Sequence, residues 1–313
     1  MNLLLYIALR AASALMAVLP ARVMYLIADL SGNLAYILFR RPRAALSRNL
    51  AVVFNDTDRS RKVQRAVRLA FQCDAKNWVD TLRIGRLDSQ SLRKLVDIDG
   101  FEYLERAYAR GAGVVLVGMH LGNFDLVGQV LAFSGYRVIV PVEHMHPESL
   151  FAFIMKSRTA RGIQAIPVDR APREMLRGLA RGEIVAVVAD RHISGRTLRV
   201  TFFGHETSLP AAAASLARRT GAPILVGVGV RKKRGRFQGH IVPVDNSDSA
   251  GGRILTEKEV MQRITDVMEG IVRRYPDQWL AFAPVWQEGT AGEPVATIRQ
   301  PETDSSAVTG ANR

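Results

Sequence analysis

The sequence predicts an α/β fold with a mostly parallel central sheet flanked by helices, preceded by an N-terminal helical segment suited to a membrane surface. Two observations carry this reading. Between residues 113 and 274, short apolar runs of strand length alternate with stretches of helical periodicity, as expected of strands joined by helical crossovers. Ahead of them, some forty strongly apolar residues lead into a cluster of arginines at positions 40, 41, 43 and 48. With 313 residues, 48% hydrophobic and 23% charged, the chain has ample material for a core, and wholesale disorder is excluded. A single cysteine, Cys73, excludes an internal disulfide framework and any cysteine-based zinc cluster.

The elements follow in order. Arg10, Arg22 and Asp29 interrupt the first forty residues, so no charge-free stretch reaches the length of a transmembrane helix. Arg10 within the apolar run also fits a signal peptide poorly. Two helices joined at Pro20 are expected instead. In the first, Leu3, Leu4, Ile7, Ala8, Ala11, Leu15 and Val18 form one stripe. An apolar face beside clustered arginines suits the headgroup region of an anionic bilayer, although a core-packing helix hairpin has the same pattern. Residues 57–86 read as a long helix through Val63, Ala66, Val67, Ala70 and Phe71. Buried strands are expected at 113–119, 136–142, 162–168, 183–189 and 222–230, with helices at 125–133, 146–161, 171–181 and 211–219 between them. The basic run 231–237 reads as a turn into a returning strand at 239–244, and 256–274 as a final amphipathic helix. Beyond residue 289 the chain is rich in Gly, Pro, Ser, Thr and Ala, as in a disordered tail. The expected organisation is thus 1–54, amphipathic helices; 55–288, the α/β domain; and 289–313, the tail.

A formal charge of +14 asks for an anionic partner: nucleic acid, a membrane surface or acidic small molecules. Nucleophile elbows, phosphate-binding glycine loops and zinc-binding helices are missing from the sequence. His144 and His146 lack a third ligand nearby. One constellation stands apart. The run GVVLVGM leads directly into His120-Leu121-Gly122-Asn123-Phe124-Asp125 and then a helix. His120 therefore sits at the carboxyl end of a strand, where open α/β sheets place their sites. Asp125 falls in the first turn of the helix, and a chain break at Gly122-Asn123 would let its carboxylate reach one imidazole nitrogen and leave the other as a base. Amides at the helix start would steady an oxyanion. The same residues also read as an Asn123 helix cap beside an incidental histidine. Asp190 ends another apolar strand and would share an edge with His120 if the two strands run parallel; alternatively Arg191 is its ion-pair partner.

The His-x-x-x-x-Asp box and the apolar, basic N-terminus resemble the membrane-associated glycerolipid acyltransferase superfamily. The closer similarity is to bacterial lipid A lauroyl/myristoyl acyltransferases and actinobacterial phosphatidylinositol mannoside acyltransferases. It covers roughly residues 1–288. Further support comes from Arg48-Asn49-Leu50, Ala189-Asp190-Arg191, Thr201-Phe202-Phe203-Gly204 with Leu209-Pro210, Arg219-Thr220-Gly221-Ala222-Pro223, and Tyr275-Pro276 with Trp279. The resemblance implies His120 as general base with Asp125 orienting it. It implies a catalytic role for Asp190, which stands where the mannoside enzymes carry Glu. It also implies donor contacts from Arg158 and the segment Arg219, Thr220, Gly221 and Ala222; the charges of Arg158 and Arg191 suit donor or acceptor phosphates, and Asn123 is a further candidate for substrate binding.

A thioester carbonyl is already electrophilic, so the chemistry requires a base and an oxyanion site but no covalent nucleophile, metal or cofactor. The implied co-substrate is acyl-CoA or acyl carrier protein, and the implied acceptor a glycolipid or phospholipid. The implied location is the cytoplasmic face of the plasma (inner) membrane, peripheral or monotopic. A non-catalytic basic protein binding anionic lipid or nucleic acid is the alternative. Nucleic acid is the weaker partner, because aromatic residues are only 7% and lie mostly within apolar runs.

Overall fold

The computed structural model describes residues 19–84, 90, 92, 94–144, 147–159, 162–168, 170–191, 195–246 and 255–286. The stripe expected at residues 3–18 and the tail expected at 289–313 lie outside them.

Three helices open the described chain: α1 (Ala21–Leu38), α2 (Arg40–Phe54) and α3 (Arg61–Ile84). Pro20 precedes the first turn of α1, where the absence of an N–H is harmless. Helix α1 packs on α3 at close range: a Cβ at Gly32 would lie 2.6 Å from Cα of Gln72. Its polar residues face that contact. Tyr25 donates to Asp80 at 2.8 Å, Asp29 pairs with Lys76 at 2.5 Å, and Asn33 accepts from Arg68 at 2.7 Å and from Gln72 at 2.8 Å. Met24 and Ala28 pack there against Val79, while Leu26, Leu30, Leu34, Ile37 and Leu38 point away. Helix α2 turns inward instead, and Leu46, Leu50 and Val53 join the core that lies against the sheet.

The sheet follows as β1 (Val96–Asp99), α4 (Phe101–Ala109), β2 (Val114–Gly118), α5 (Phe124–Phe133), β3 (Val138–Val142), α6 (Glu148–Thr159), β4 (Ile163–Pro167), α7 (Ala171–Ala180) and β5 (Ile184–Val188). A hairpin, β6 (Thr197–Phe202) and β7 (His205–Pro210), then leads to α8 (Ala212–Thr220), β8 (Ile224–Arg231), β9 (Phe237–Val244) and α9 (Glu257–Arg274). The strand order is β1-β9-β8-β2-β5-β3-β4. Strands β8, β2, β5, β3 and β4 are mutually parallel, and β9 returns antiparallel to β8 with β1 parallel beside it. Every strand expected from an apolar run is present. Strand β1, helix α4 and the β6–β7 hairpin were not foreseen: Val-Asp-Ile-Asp alternates with acids at a sheet edge, and the hairpin strands are half-polar.

Strands buried on both faces read as continuous apolar runs, and the two faces have different partners. Val115, Val117, Val185 and Val187 pack with residues of α2, α3, α7, α8 and α9. Val114, Leu116, Ile184 and Leu225 pack with Leu104 of α4 and Leu131 of α5.

Candidate active site

Register decides which residues meet. Strands β2 and β5 are neighbours, and Gly118 pairs with Val188. His120 and Asp190 each lie two residues beyond that pair, so the parallel strands deliver both to the same edge. There His120 Nδ1 lies 2.8 Å from Asp190 Oδ1, and the His120 backbone N–H donates to Asp190 Oδ2 at 3.0 Å. The Trp279 indole N–H donates to the same Oδ2 at 2.9 Å. Asp190 is wholly buried. Burial alone would raise its pKa, but the electrostatic pull of the adjacent His120 ring and the hydrogen bonds from His120 and Trp279 outweigh it and hold the carboxyl below the usual range.

The expectation that Asp125 orients His120 is corrected by this geometry. Asp125 accepts from Arg158 at 3.0 Å (Nε) and 2.7 Å (the terminal nitrogen), tying the first turn of α5 to the last turn of α6. Nor does Arg191 take Asp190 as an ion-pair partner. Its side chain lines the cavity described below, with Nε buried and without a hydrogen-bond partner among the described residues.

The loop carrying His120 is stitched down on several sides. Leu280 N–H donates to the His120 carbonyl at 2.6 Å, Gly122 N–H to the Gln278 carbonyl at 2.8 Å, and Asn123 N–H to the Gly229 carbonyl at 2.7 Å. Gly122 needs to be glycine: φ is +59°, and a Cβ would lie 2.1 Å from the Gly229 oxygen. Asn123, expected to touch substrate, is buried and bonded into the fold. Its oxygen caps α5 at the Leu126 N–H (3.1 Å) and its amide donates to Asp80 (3.2 Å). Asp80 also pairs with Arg231, which donates in turn to Asn77 at 2.9 Å, and Asn77 donates to the Gly122 carbonyl at 2.6 Å. Arg231 was expected in a basic turn; it instead ends β8 as a largely buried anchor of the site.

A cavity of about 840 Å³ opens at this edge. One arm runs under α5 along the sheet face that carries Leu116, Gly118 and Ala186; the other passes between α7 and α8 by Met175, Leu176 and Leu216. His120, Asp125, Arg158, Arg191 and Arg219 all line it. Thr220, Gly221 and Ala222 do not, which corrects their expected place in a donor groove. Gly221 ends α8 in the left-handed conformation at φ +72°. The Thr220 hydroxyl bonds the Leu216 carbonyl at 2.8 Å, and Ala222 is wholly buried. These three shape the entry to β8 at the opposite edge of the sheet.

Sequence reasoning missed the roles of Asp80, Asn77 and Asn49. The Asn49 amide donates to the Ala281 and Ala283 carbonyls, both at 2.8 Å, and its oxygen accepts from Val285 N–H at 3.1 Å. It thereby holds the segment that carries Trp279. A carboxylate at position 80, adjacent to the buried Val79, was the available signal for Asp80.

A histidine resting on a buried carboxylate, opening onto a largely apolar cavity that Arg158, Arg191 and Arg219 also line, has the features of an α/β enzyme. The chain belongs to the bacterial lipid A biosynthesis acyltransferase family, whose pattern it matches over residues 3–288. It is 28% identical over 216 residues to a phosphatidylinositol mannoside acyltransferase of Mycobacterium tuberculosis, covering 67% of this chain and 66% of that one. A protein of the same description from Mycolicibacterium smegmatis is 26% identical over 232 residues, covering 70% and 72%. The lipid A biosynthesis palmitoleoyltransferase of Escherichia coli is 21% identical over 264 residues, covering 84% of each chain.

Proposed function

We propose that this protein transfers a fatty acyl group from an acyl thioester, carried on CoA or acyl carrier protein, to a hydroxyl of a glycolipid or phospholipid at the cytoplasmic face of the inner membrane. The observation that carries this reading is the His120–Asp190 pair at the mouth of the cavity. An ionised carboxylate can only accept, so Nδ1 carries the proton and Nε2 is left as the base. Nε2 removes the acceptor hydroxyl proton as its oxygen attacks the thioester carbonyl. Amides in the first turn of α5 stabilise the resulting oxyanion. Collapse breaks the C–S bond, and the thiolate takes the proton back from Nε2. No covalent enzyme intermediate forms. Arg158, Arg191 and Arg219 supply charge-assisted hydrogen bonds to donor or acceptor phosphates.

The membrane part of the reading rests on α1. Leu26, Leu30, Leu34, Ile37, Leu38 and Phe39 are each more than half exposed, while Tyr25, Asp29 and Asn33 of α1 bond inward to α3. That arrangement suits a bilayer and not water. Exposed Arg40, Arg41 and Arg48 follow it, as anionic headgroups require. Among the described residues, no helix is long and apolar enough to cross a membrane; the attachment proposed is peripheral or monotopic.

The test is release of free thiol from acyl-CoA and from acylated carrier protein, with and without a bacterial lipid extract. Extract-dependent release that disappears in His120→Ala supports the reading. Release that persists in a folded His120→Ala protein would sink it.

A further inference from the structure

Gly128 lies in the interior of α5, where glycine is a poor choice for helix stability. Among the described residues, a Cβ there would meet Ile163 Cδ1 alone, at an ordinary 3.5 Å. Both residues line the cavity. Among the described residues, no other side chain fills the space that a Cβ at 128 would enter.

Register fixes their depth. Ile163 pairs with Val138, Val138 with Ile184, and Ile184 with Val114. Val114 is four residues before Gly118, the last level below His120. The strand residues on this arm thus fall in three levels, with Gly118 and Val188 at the top, Leu116 and Ala186 between, and Ile163 at the bottom. At the usual rise per residue, the bottom level is about 13 Å below Gly118. An extended alkyl chain advances about 1.25 Å per carbon, from a 1.52 Å bond and a tetrahedral angle, so roughly ten methylenes fit below Gly118.

We propose that Gly128 and Ile163 form the floor of an acyl-chain arm and set the longest fatty chain the protein accepts. This rests on the acyl-transfer reading and names the part of the site that selects among donors. A side chain at 128 projects into the arm from α5 and shortens it; a smaller residue at 163 deepens it.

The test compares the full chain with Gly128→Ala, Gly128→Leu and Ile163→Ala. Saturated acyl chains of about eight to eighteen carbons are offered as thioesters, and separately as free fatty acids displacing a fluorescent fatty-acid probe. In the wild type, affinity is expected to rise by about fourfold per methylene and then stop rising at a defined length. Gly128→Leu is expected to move that limit shorter by roughly two to four carbons, and Ile163→Ala to move it longer. Gly128→Ala should fold at least as well as the wild type and move it least. A profile unchanged in Gly128→Leu and Ile163→Ala, or lowered equally at every length, would overturn the assignment. If the limit moves in the displacement assay while no thioester is consumed, the arm stands and the acyl-transfer reading fails.

Discussion

Asp190 holds its negative charge at full burial because three donors converge on it: the imidazole, the His120 amide and the Trp279 indole. His120→Ala is expected to lower turnover by about 10²–10⁴ with the fold retained, as checked by circular dichroism and thiol release. Asp190→Asn should be similarly severe, because an amide no longer dictates which imidazole nitrogen carries the proton. Trp279→Phe removes one hydrogen bond to a charged group, which typically contributes about 1.5–3 kcal/mol; a urea midpoint equal to wild type would show the indole is dispensable. Asp74 on α3 behaves in the opposite sense. Burial, only partly offset by a hydrogen bond with Trp78, pushes its carboxyl up to about 6. A raised pKa favours the folded state at low pH and weakens it as pH rises through that value. Asp74→Asn is therefore expected to stabilise the protein at pH 8, by up to about 3 kcal/mol, and to have little effect near pH 4. Equal effects at both pH values in urea melts would contradict this. At this scale the sequence revealed that His120 and Asp190 end strands. It did not reveal which carboxylate the histidine would choose, because spacing along the chain says nothing about the pairing of strands 70 residues apart. Likewise Thr220 to Ala222 look like a motif, and only the direction of β8 shows them at the far edge.

Helix α1 would be inside out if water were its only environment. Replacing Leu30, Leu34 and Ile37 with serine is expected to abolish most flotation with vesicles while leaving the melting temperature nearly unchanged, since these side chains touch solvent in the fold. Arg40, Arg41 and Arg48 changed to glutamine should remove the preference for anionic over neutral vesicles, at roughly 1 kcal/mol per charge near the surface. Arg43 is a poor choice for that experiment, because it bonds the Tyr36 carbonyl at 3.0 Å and covers the Tyr36 ring. Vesicle binding indifferent to both sets of changes would place the attachment elsewhere. Helix α2 answers to different demands. Asn49→Ala strips three hydrogen bonds from a buried clasp and is expected to cost about 2–4 kcal/mol in a urea melt. The apolar character of the N-terminus was plain in the sequence. The inward orientation of Tyr25, Asp29 and Asn33 was not, because it depends on partners in α3 that periodicity cannot name.

For the molecule as a whole, the parallel strands were legible because burial on both faces leaves uninterrupted apolar runs, whereas β1 and the β6–β7 hairpin carry one wet face and blend into loop-like sequence. The net charge of +14 is spread unevenly in function. Some cations are structural, as Arg231 is; others rim the cavity or flank α1. Vesicle binding should consequently weaken with salt without vanishing, since charge attraction is screened within about 10 Å at 0.1 M and apolar burial is not. Complete release at high salt would mean that α1 contributes nothing.

The clamp on Asp190 comes from Trp279, 89 residues further along the chain, and the segment bearing Trp279 is held by Asn49, 232 residues before Ala281. During synthesis a ribosome delivers His120 and Asp190 well before the tryptophan that completes their setting. A nascent chain is thus expected to bring its hydrophobic N-terminal helix to the bilayer while still chemically silent, and to become competent only when residues 278–285 leave the exit tunnel and dock on α2. On the proposed reading, attachment would precede activity in time because of where one indole sits in the reading order of the message.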